Sequence, residues 1–269
     1  YYCDGTSSNP NLVANNFISL SSGTGTNYGI YAYYSSYTDI LYNSISITAG
    51  SSTSRCFYHG GNVTYSNNLR LKNNIFYNEV DGYTIYDNYP AGITYCDYND
   101  LYSTSTTQFA YYSGNIGDFA AWKTASSRDA NSVSVDPGFI SPTNLHVMAV
   151  GINDVGNYES SVLTDIDGEV RSLATPDIGA DEFTPAQKDI GAEAIVAPIT
   201  GTCYTSTEPV VIRIRNFGIQ NINMANDTVN LNVSVTGANP VTFPTVVIDS
   251  GILAVGDSMD VLVTMNFDM

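Results

Sequence analysis

Short alternations of apolar and polar residues fill the first 110 or so positions, and they recur. Four segments share one pattern: Asn15-Asn16-Phe17-Ile18-Ser19-Leu20, Tyr42-Asn43-Ser44-Ile45-Ser46-Ile47, Asn73-Asn74-Ile75-Phe76-Tyr77-Asn78 and Tyr98-Asn99-Asp100-Leu101-Tyr102-Ser103. Anchored on Asn16, Asn43, Asn74 and Asn99, the steps are 27, 31 and 25 residues. Two residues after each anchor come Ile18, Ile45, Phe76 and Leu101, and three before it Val13, Ile40, Leu71 and Cys96, all apolar. A second column, Cys3, Ile30, Cys56, Thr84 and Phe109, runs upstream with steps of 27, 26, 28 and 25. Each unit holds short strands and turns but no crossover helix. Units of this length, stacked strand on strand, predict a right-handed parallel β-helix over residues 1–183, in which neighbouring coils complete each other's core.

The Asn column reads as an asparagine ladder, since Asn tolerates the left-handed backbone of a tight turn and hydrogen-bonds to the next coil. Outward positions beside it place Asp39 next to Arg70 and Lys72 next to Asp97, at the coil spacing of about 4.8 Å. Cross-strand ion pairing is the ordinary reading of both. With Ile30 and Ala32 pointing inward, the upstream strands present Tyr31, Tyr33, Phe57, His59, Ile85, Asp87 and Tyr112 outward. Such an exposed aromatic strip suits a glycan or a partner surface, or else lies under a flanking loop or domain.

After Phe109 the period dissolves. One helix is predicted over 117–123, capped by Asp118, with Phe119 and Trp122 on one face. Residues 184–190, around Thr184-Pro185-Ala186-Gln187-Lys188, read as a linker. Beyond it, runs such as Val210-Val211-Ile212-Arg213-Ile214-Arg215 and Val229-Asn230-Leu231-Asn232-Val233-Ser234-Val235 alternate between turn residues. They predict an immunoglobulin-like β-sandwich over 191–269. The expected class is thus all-β throughout.

Composition agrees. Of 269 residues, 21 are Tyr, and charged residues make up only 13%. Nine Lys and Arg against 26 Asp and Glu give a net charge of −17. That balance excludes nucleic-acid partners, because phosphates are repelled, and disfavours an anionic membrane surface. No apolar run reaches the roughly 18 residues of a membrane helix, so no membrane insertion is expected. The four Cys (Cys3, Cys56, Cys96 and Cys203) lack metal-ligand spacing, and Cys3 and Cys56 lie too many coils apart for a disulfide. They are expected as buried free thiols.

The text 118–183 carries Trp122, Asp136-Pro137-Gly138-Phe139, Asn144-Leu145-His146, Asp165-Ile166-Asp167-Gly168-Glu169-Val170-Arg171 and Asp177-Ile178-Gly179-Ala180-Asp181-Glu182-Phe183. Together with the repeats, from about residue 10 onward, it resembles the C-terminal end of bacterial right-handed parallel β-helix repeat proteins of the pectate-lyase-like superfamily. The resemblance implies an extracellular protein, many such proteins being adhesins or glycan-active enzymes. Asp165, Asp167 and Glu169 suggest Ca2+, but the later bidentate Glu of a calcium loop is missing, which favours a turn closed by Arg171 against a carboxylate. No other cofactor is indicated. Glu208 to Gly218 resembles a strand of CARDB-like adhesion modules of bacteria using type IX secretion. That likeness implies a final strand beyond Phe267, missing from the sandwich. Asp227-Thr228-Val229 and Asp257-Ser258-Met259 resemble the O-glycosylation signal of those bacteria, at Thr228 and Ser258.

Three functions are expected in order. The first is a segment of a large secreted or cell-surface bacterial protein, an adhesin or structural rod joined to further domains of the same chain, with glycans or other surface proteins as partners. The second is a polysaccharide lyase or glycoside hydrolase, for which Lys72, Asp87, Asp97 and Asp100 are weak candidates, with Arg70 as a second candidate cation. The third is passive carbohydrate binding by the aromatic strip.

Overall fold

The computed structural model describes residues 3–268 apart from 63, 200, 202–204, 206 and 238–239, with backbone only for Cys3. Cys203 therefore lies outside the described residues. The chain forms two compact units, Tyr1–Thr184 and Pro185–Met269.

The first unit is a parallel β-solenoid of about four turns. Each turn adds one strand to each of three sheets. The first sheet contains Asn11–Ala14, Ser35–Leu41, Asn67–Lys72 and Ile93–Asp97. The second contains Phe17–Leu20, Ser44–Ile47, Ile75–Asn78 and Asp100–Ser103. The third contains Tyr28–Tyr33, Arg55–Gly60, Tyr83–Asp87 and Ala110–Tyr112.

Register follows the sequence columns in the first two sheets. Val13, Ile40, Leu71 and Cys96 stack, as do Ile18, Ile45, Phe76 and Leu101. Most of these side chains meet in one continuous core that also holds Phe57, Ile85 and Trp122. Truncating a residue such as Leu71 there costs about 2–5 kcal/mol.

The corner between the first two sheets holds the asparagine ladder. Nδ2 of Asn16 donates to Asn43 Oδ1 (2.7 Å), Asn43 to Asn74 (2.9 Å), Asn74 to Asn99 (3.0 Å) and Asn99 to Asp129 Oδ1 (3.1 Å). The ladder residues themselves are not left-handed. The positive φ falls one residue earlier in each coil, on Asn15, Tyr42, Asn73 and Tyr98 (53°, 53°, 57° and 58°). The turn thus separates its two requirements: one residue supplies the bend and the next supplies the amide. Two of the bending residues are tyrosines, whose strain the ladder must hold in place.

The third sheet departs from expectation by one residue. Ile30 pairs with Phe57, which pairs with Ile85. Cys3 belongs to the first sheet, opposite Ser35. Position 29, level with Cys56, is a glycine whose added Cβ would come within 2.5 Å of the Cys56 carbonyl oxygen. With no side chain at Gly29, the apolar pattern points to Ile30 instead.

The predicted helix forms over Phe119–Ser126, shifted from 117–123, and Asp118 caps it by accepting the Ala121 amide at 2.8 Å. Trp122 is fully buried. Cys56 and Cys96 are buried free thiols. Arg171 closes its turn against Glu182 (3.2 Å) and lies 3.9 Å from the Tyr42 ring centre.

In the second unit, Ile190–Ala197, Glu208–Asn216 and Ser258–Phe267 form an antiparallel sheet with Glu208–Asn216 central. Val210, Ile212 and Ile214 face a core with Val261 and Phe267. Among the described residues three two-stranded ribbons accompany the sheet. Within 184–190, Ala186 and Gln187 accept amides from Ile219 (3.1 Å) and Gln220 (2.9 Å), which ties that stretch to this unit. Among the described residues no helix is long and apolar enough to cross a membrane.

Candidate functional site

The outer face of the third sheet carries one tyrosine per coil. Strand residues alternate sides, so those flanking inward Ile30, Phe57 and Ile85 point out. Tyr31, Tyr58, Tyr86 and Tyr111 are consecutive partners in register. Their ring centroids are 4.6, 5.7 and 4.2 Å apart, at interplanar angles of 16°, 25° and 6°. Parallel stacking at strand spacing brings identical rings into this offset arrangement, each pair adding about 0.5–1.5 kcal/mol beyond burial.

A second row lies beside the first. Tyr28, Arg55 and Tyr83 are register partners. The Arg55 guanidinium lies 3.9 Å from the Tyr86 centroid, 5.3 Å from Tyr58 and 5.2 Å from Tyr28, and its Nη1 donates to the Tyr28 hydroxyl at 2.8 Å. Tyr83 donates its hydroxyl to Asn115 at 3.1 Å. Tyr33 flanks Tyr31 at 6.0 Å.

Burial raises the phenols of Tyr58, Tyr83 and Tyr86, with neighbouring phenols adding to the effect and Arg55 opposing it. The hydroxyls therefore stay neutral at physiological pH and serve as donors and acceptors. Tyr31 and Tyr28 are 42% and 37% exposed. The face offers flat apolar rings, several hydroxyls and one guanidinium, a set suited to sugar rings.

Of the residues predicted for this strip, Tyr31 and Tyr33 lie on it. Phe57, His59, Ile85 and Asp87 do not: all four are fully buried on the inner side, because of the one-residue slip. Tyr112 pairs with Asp87 and packs edge-on against Trp122 at 6.0 Å. Tyr58, Tyr86, Tyr111, Tyr28, Tyr83 and Arg55 were missed. The available signal was tyrosine at 31, 58, 86 and 111, steps of 27, 28 and 25.

No family model, curated protein or solved structure matches this chain.

The other candidates are scattered and occupied. His59 Nδ1 stands 2.8 Å from Asp87 Oδ1, and Arg128 donates to the other oxygen at 2.7 Å, all inside the solenoid. Asp39 and Arg70 form the expected pair at 2.9 Å. Lys72 and Asp97 are register partners but not an ion pair. Lys72 is buried and binds Glu159 (2.7 Å) and Asn157 (2.5 Å), whereas Asp97 accepts both the amide and the side chain of Asn131 at 2.7 Å. Asp100 is buried, with Oδ1 on the Val135 amide (3.0 Å) and Oδ2 without a partner among the described residues, and burial pushes it well above the carboxylate range.

Around the expected calcium turn, Asp165 is spent on the Asp167, Glu169 and Glu182 amides (2.9, 2.8 and 3.0 Å), and Glu169 is exposed. Asp167 instead approaches His146 Nε2 at 2.7 Å. Thr228 and Ser258 are exposed, and Ser258 donates to Glu193 at 2.7 Å.

Proposed function

We propose that this chain is a segment of a secreted or cell-surface bacterial protein, adhesin-like in role, whose solenoid binds carbohydrate through the tyrosine face. The observation that carries the reading is the four-ring stack Tyr31–Tyr58–Tyr86–Tyr111 with Arg55 lodged over it. Rigid aromatic platforms contribute contact area at low entropic cost, and adjacent hydroxyls and a guanidinium supply directional hydrogen bonds. The acidic, charge-poor surface suits an extracellular setting with neutral glycans better than one with polyuronates. The solenoid is read as right-handed, the hand of this strand–turn–strand repeat.

The second unit is read as an immunoglobulin-like module of the CARDB kind. Leu231, Val233, Val235, Phe243, Val246 and Ile248 pack toward the core of its main sheet, as a second sandwich layer does. Type IX secretion, O-glycosylation at Thr228 and Ser258, and further domains of the same chain complete the proposal.

A glycan array probed with the whole chain tests it. Binding to a defined glycan class that weakens about tenfold (about 1.4 kcal/mol) in Tyr86→Ala and Arg55→Met supports the reading. Absence of binding to any glycan, or release of unsaturated or reducing ends from a polysaccharide panel, overturns it.

A further inference from the structure

The segment that closes the solenoid brings three distant stretches together. His146 follows the bridge between Ser141 and Asn144, Asp167 lies in the turn that Asp165 closes, and Asp181 belongs to the run Asp177–Phe183. One ligand atom from each of His146, Asp167 and Asp181 lies within 4.8 Å of the other two. Asp181 is 5% exposed. One of its oxygens accepts the Val147 amide at 3.0 Å, and the other has no hydrogen bond among the described residues.

Both nitrogens of the His146 imidazole face polar partners. Its Nδ1 faces Asn144 Oδ1. The His146 backbone N–H, which can only donate, reaches the same Asn144 atom at 3.3 Å. That atom is therefore the amide oxygen, and Nδ1 carries a proton. The other ring nitrogen, Nε2, lies 2.7 Å from an Asp167 carboxylate oxygen. That contact holds through a shared proton, and a metal ion that displaces the proton would draw on the same two atoms. Histidines that ligate metals are commonly fixed this way, the far N–H held by an oxygen acceptor. The ring also packs edge-on against Phe17 at 5.0 Å, which limits its rotation.

We propose that His146, Asp167 and Asp181 form a mononuclear site for a divalent transition-metal ion, with Zn2+ as the type. Imidazole with two carboxylates suits zinc, whereas calcium seeks six to eight oxygens. Three protein ligands leave one position for water or a ligand oxygen. Asp167 is half exposed, which provides the entry path. The ion pins three stretches that have little regular secondary structure of their own.

Isothermal titration of the whole chain with ZnCl2 tests the site, alongside the visible spectrum of the chain loaded with Co2+. The expected result is one ion per chain, lost in Asp167→Asn and His146→Gln. Asn144→Ala, which frees the ring, weakens binding about 10–100-fold. Asp167 and His146 stand at the surface, and unchanged Trp122 fluorescence confirms that the variants fold. A wild-type chain that binds neither ion overturns the proposal and leaves His146 and Asp167 as a hydrogen-bonded pair only. Binding that survives both substitutions overturns it as well, because the ion then sits elsewhere.

Discussion

Trp122 donates its indole N–H to Asp129 Oδ2 at 2.7 Å, and the other oxygen of that carboxylate receives the last amide of the asparagine ladder, from Asn99 at 3.1 Å. The Ser132 hydroxyl also donates to Oδ1 at 2.6 Å, and the Cys96 thiol to Oδ2 at 3.1 Å. One buried acid thus joins the repeating part of the solenoid to the helix that covers it.

Asp129→Ala strands these donors in an apolar interior. Each hydrogen bond to a charged group is worth about 1.5–3 kcal/mol, so the closing segment should loosen before the coils do. Trp122 is the sole tryptophan. Its emission in Asp129→Ala should shift to the red under conditions where the far-ultraviolet β signal persists. Coincident loss of both signals argues against separate closure.

Asp87 and Asp97 are both acids of the solenoid but differ in what depends on them. Removing Asp87 leaves the His59 imidazole and the Arg128 guanidinium without their shared acceptor. Breaking a buried pair from one side costs about 3–5 kcal/mol. Removing Asp97 releases the exposed Asn131 contacts and the adjacent Tyr98 amide, none of them a buried charge pair, at about 1 kcal/mol. Urea midpoints of Asp87→Ala and Asp97→Ala should rank in that order, and equal midpoints would refute the distinction.

Four carboxyls of the first unit, Asp39, Asp100, Asp177 and Asp181, are held above the ordinary carboxylate range, each chiefly by burial. Asp177 is pushed up to about 7, although the Phe183 and Asp154 amides donate to it. A group that keeps its proton in the folded state after the unfolded chain has released it makes stability fall as pH rises between the two values. For Asp177 that window runs from about 4 to about 7. The solenoid should therefore resist urea better at pH 5 than at pH 7.5, with a gentler slope in Asp177→Asn. A midpoint that climbs with pH contradicts this.

Burial raises the thiols of Cys56 and Cys96, and for Cys96 the nearby Asp129 charge adds to it. Since the thiolate is the reactive form, neither should be titrated by an aromatic disulfide reagent in the native chain. Both should react once urea unfolds it. Rapid labelling of Cys56 or Cys96 without denaturant would disprove their enclosure.

The solenoid was legible because two of its three columns carry side chains that must be apolar or amide in every coil, as Leu71, Phe76 and Asn74 show. The third sheet was misread by one position because Gly29 leaves no side chain to mark its place. That slip turned Phe57, His59 and Asp87 outward on paper and hid Tyr58 and Tyr86. Lys72 and Asp97 show a second limit. Register made them neighbours, but Glu159, far along the chain and outside any repeat, captured the lysine. The Asp167–His146 contact escaped for the same reason: it joins residues 21 apart in a segment with no period.

The amide column has a direction. From Asn16 to Asp129, every member hands its hydrogen the same way, and only the final acceptor differs in kind. A coil of any length that contributes one corner asparagine could be spliced in without disturbing its neighbours, whereas the anionic terminus admits no repetition. The fold is thus open to growth or shrinkage by whole turns through its middle, while its closure must be inherited intact.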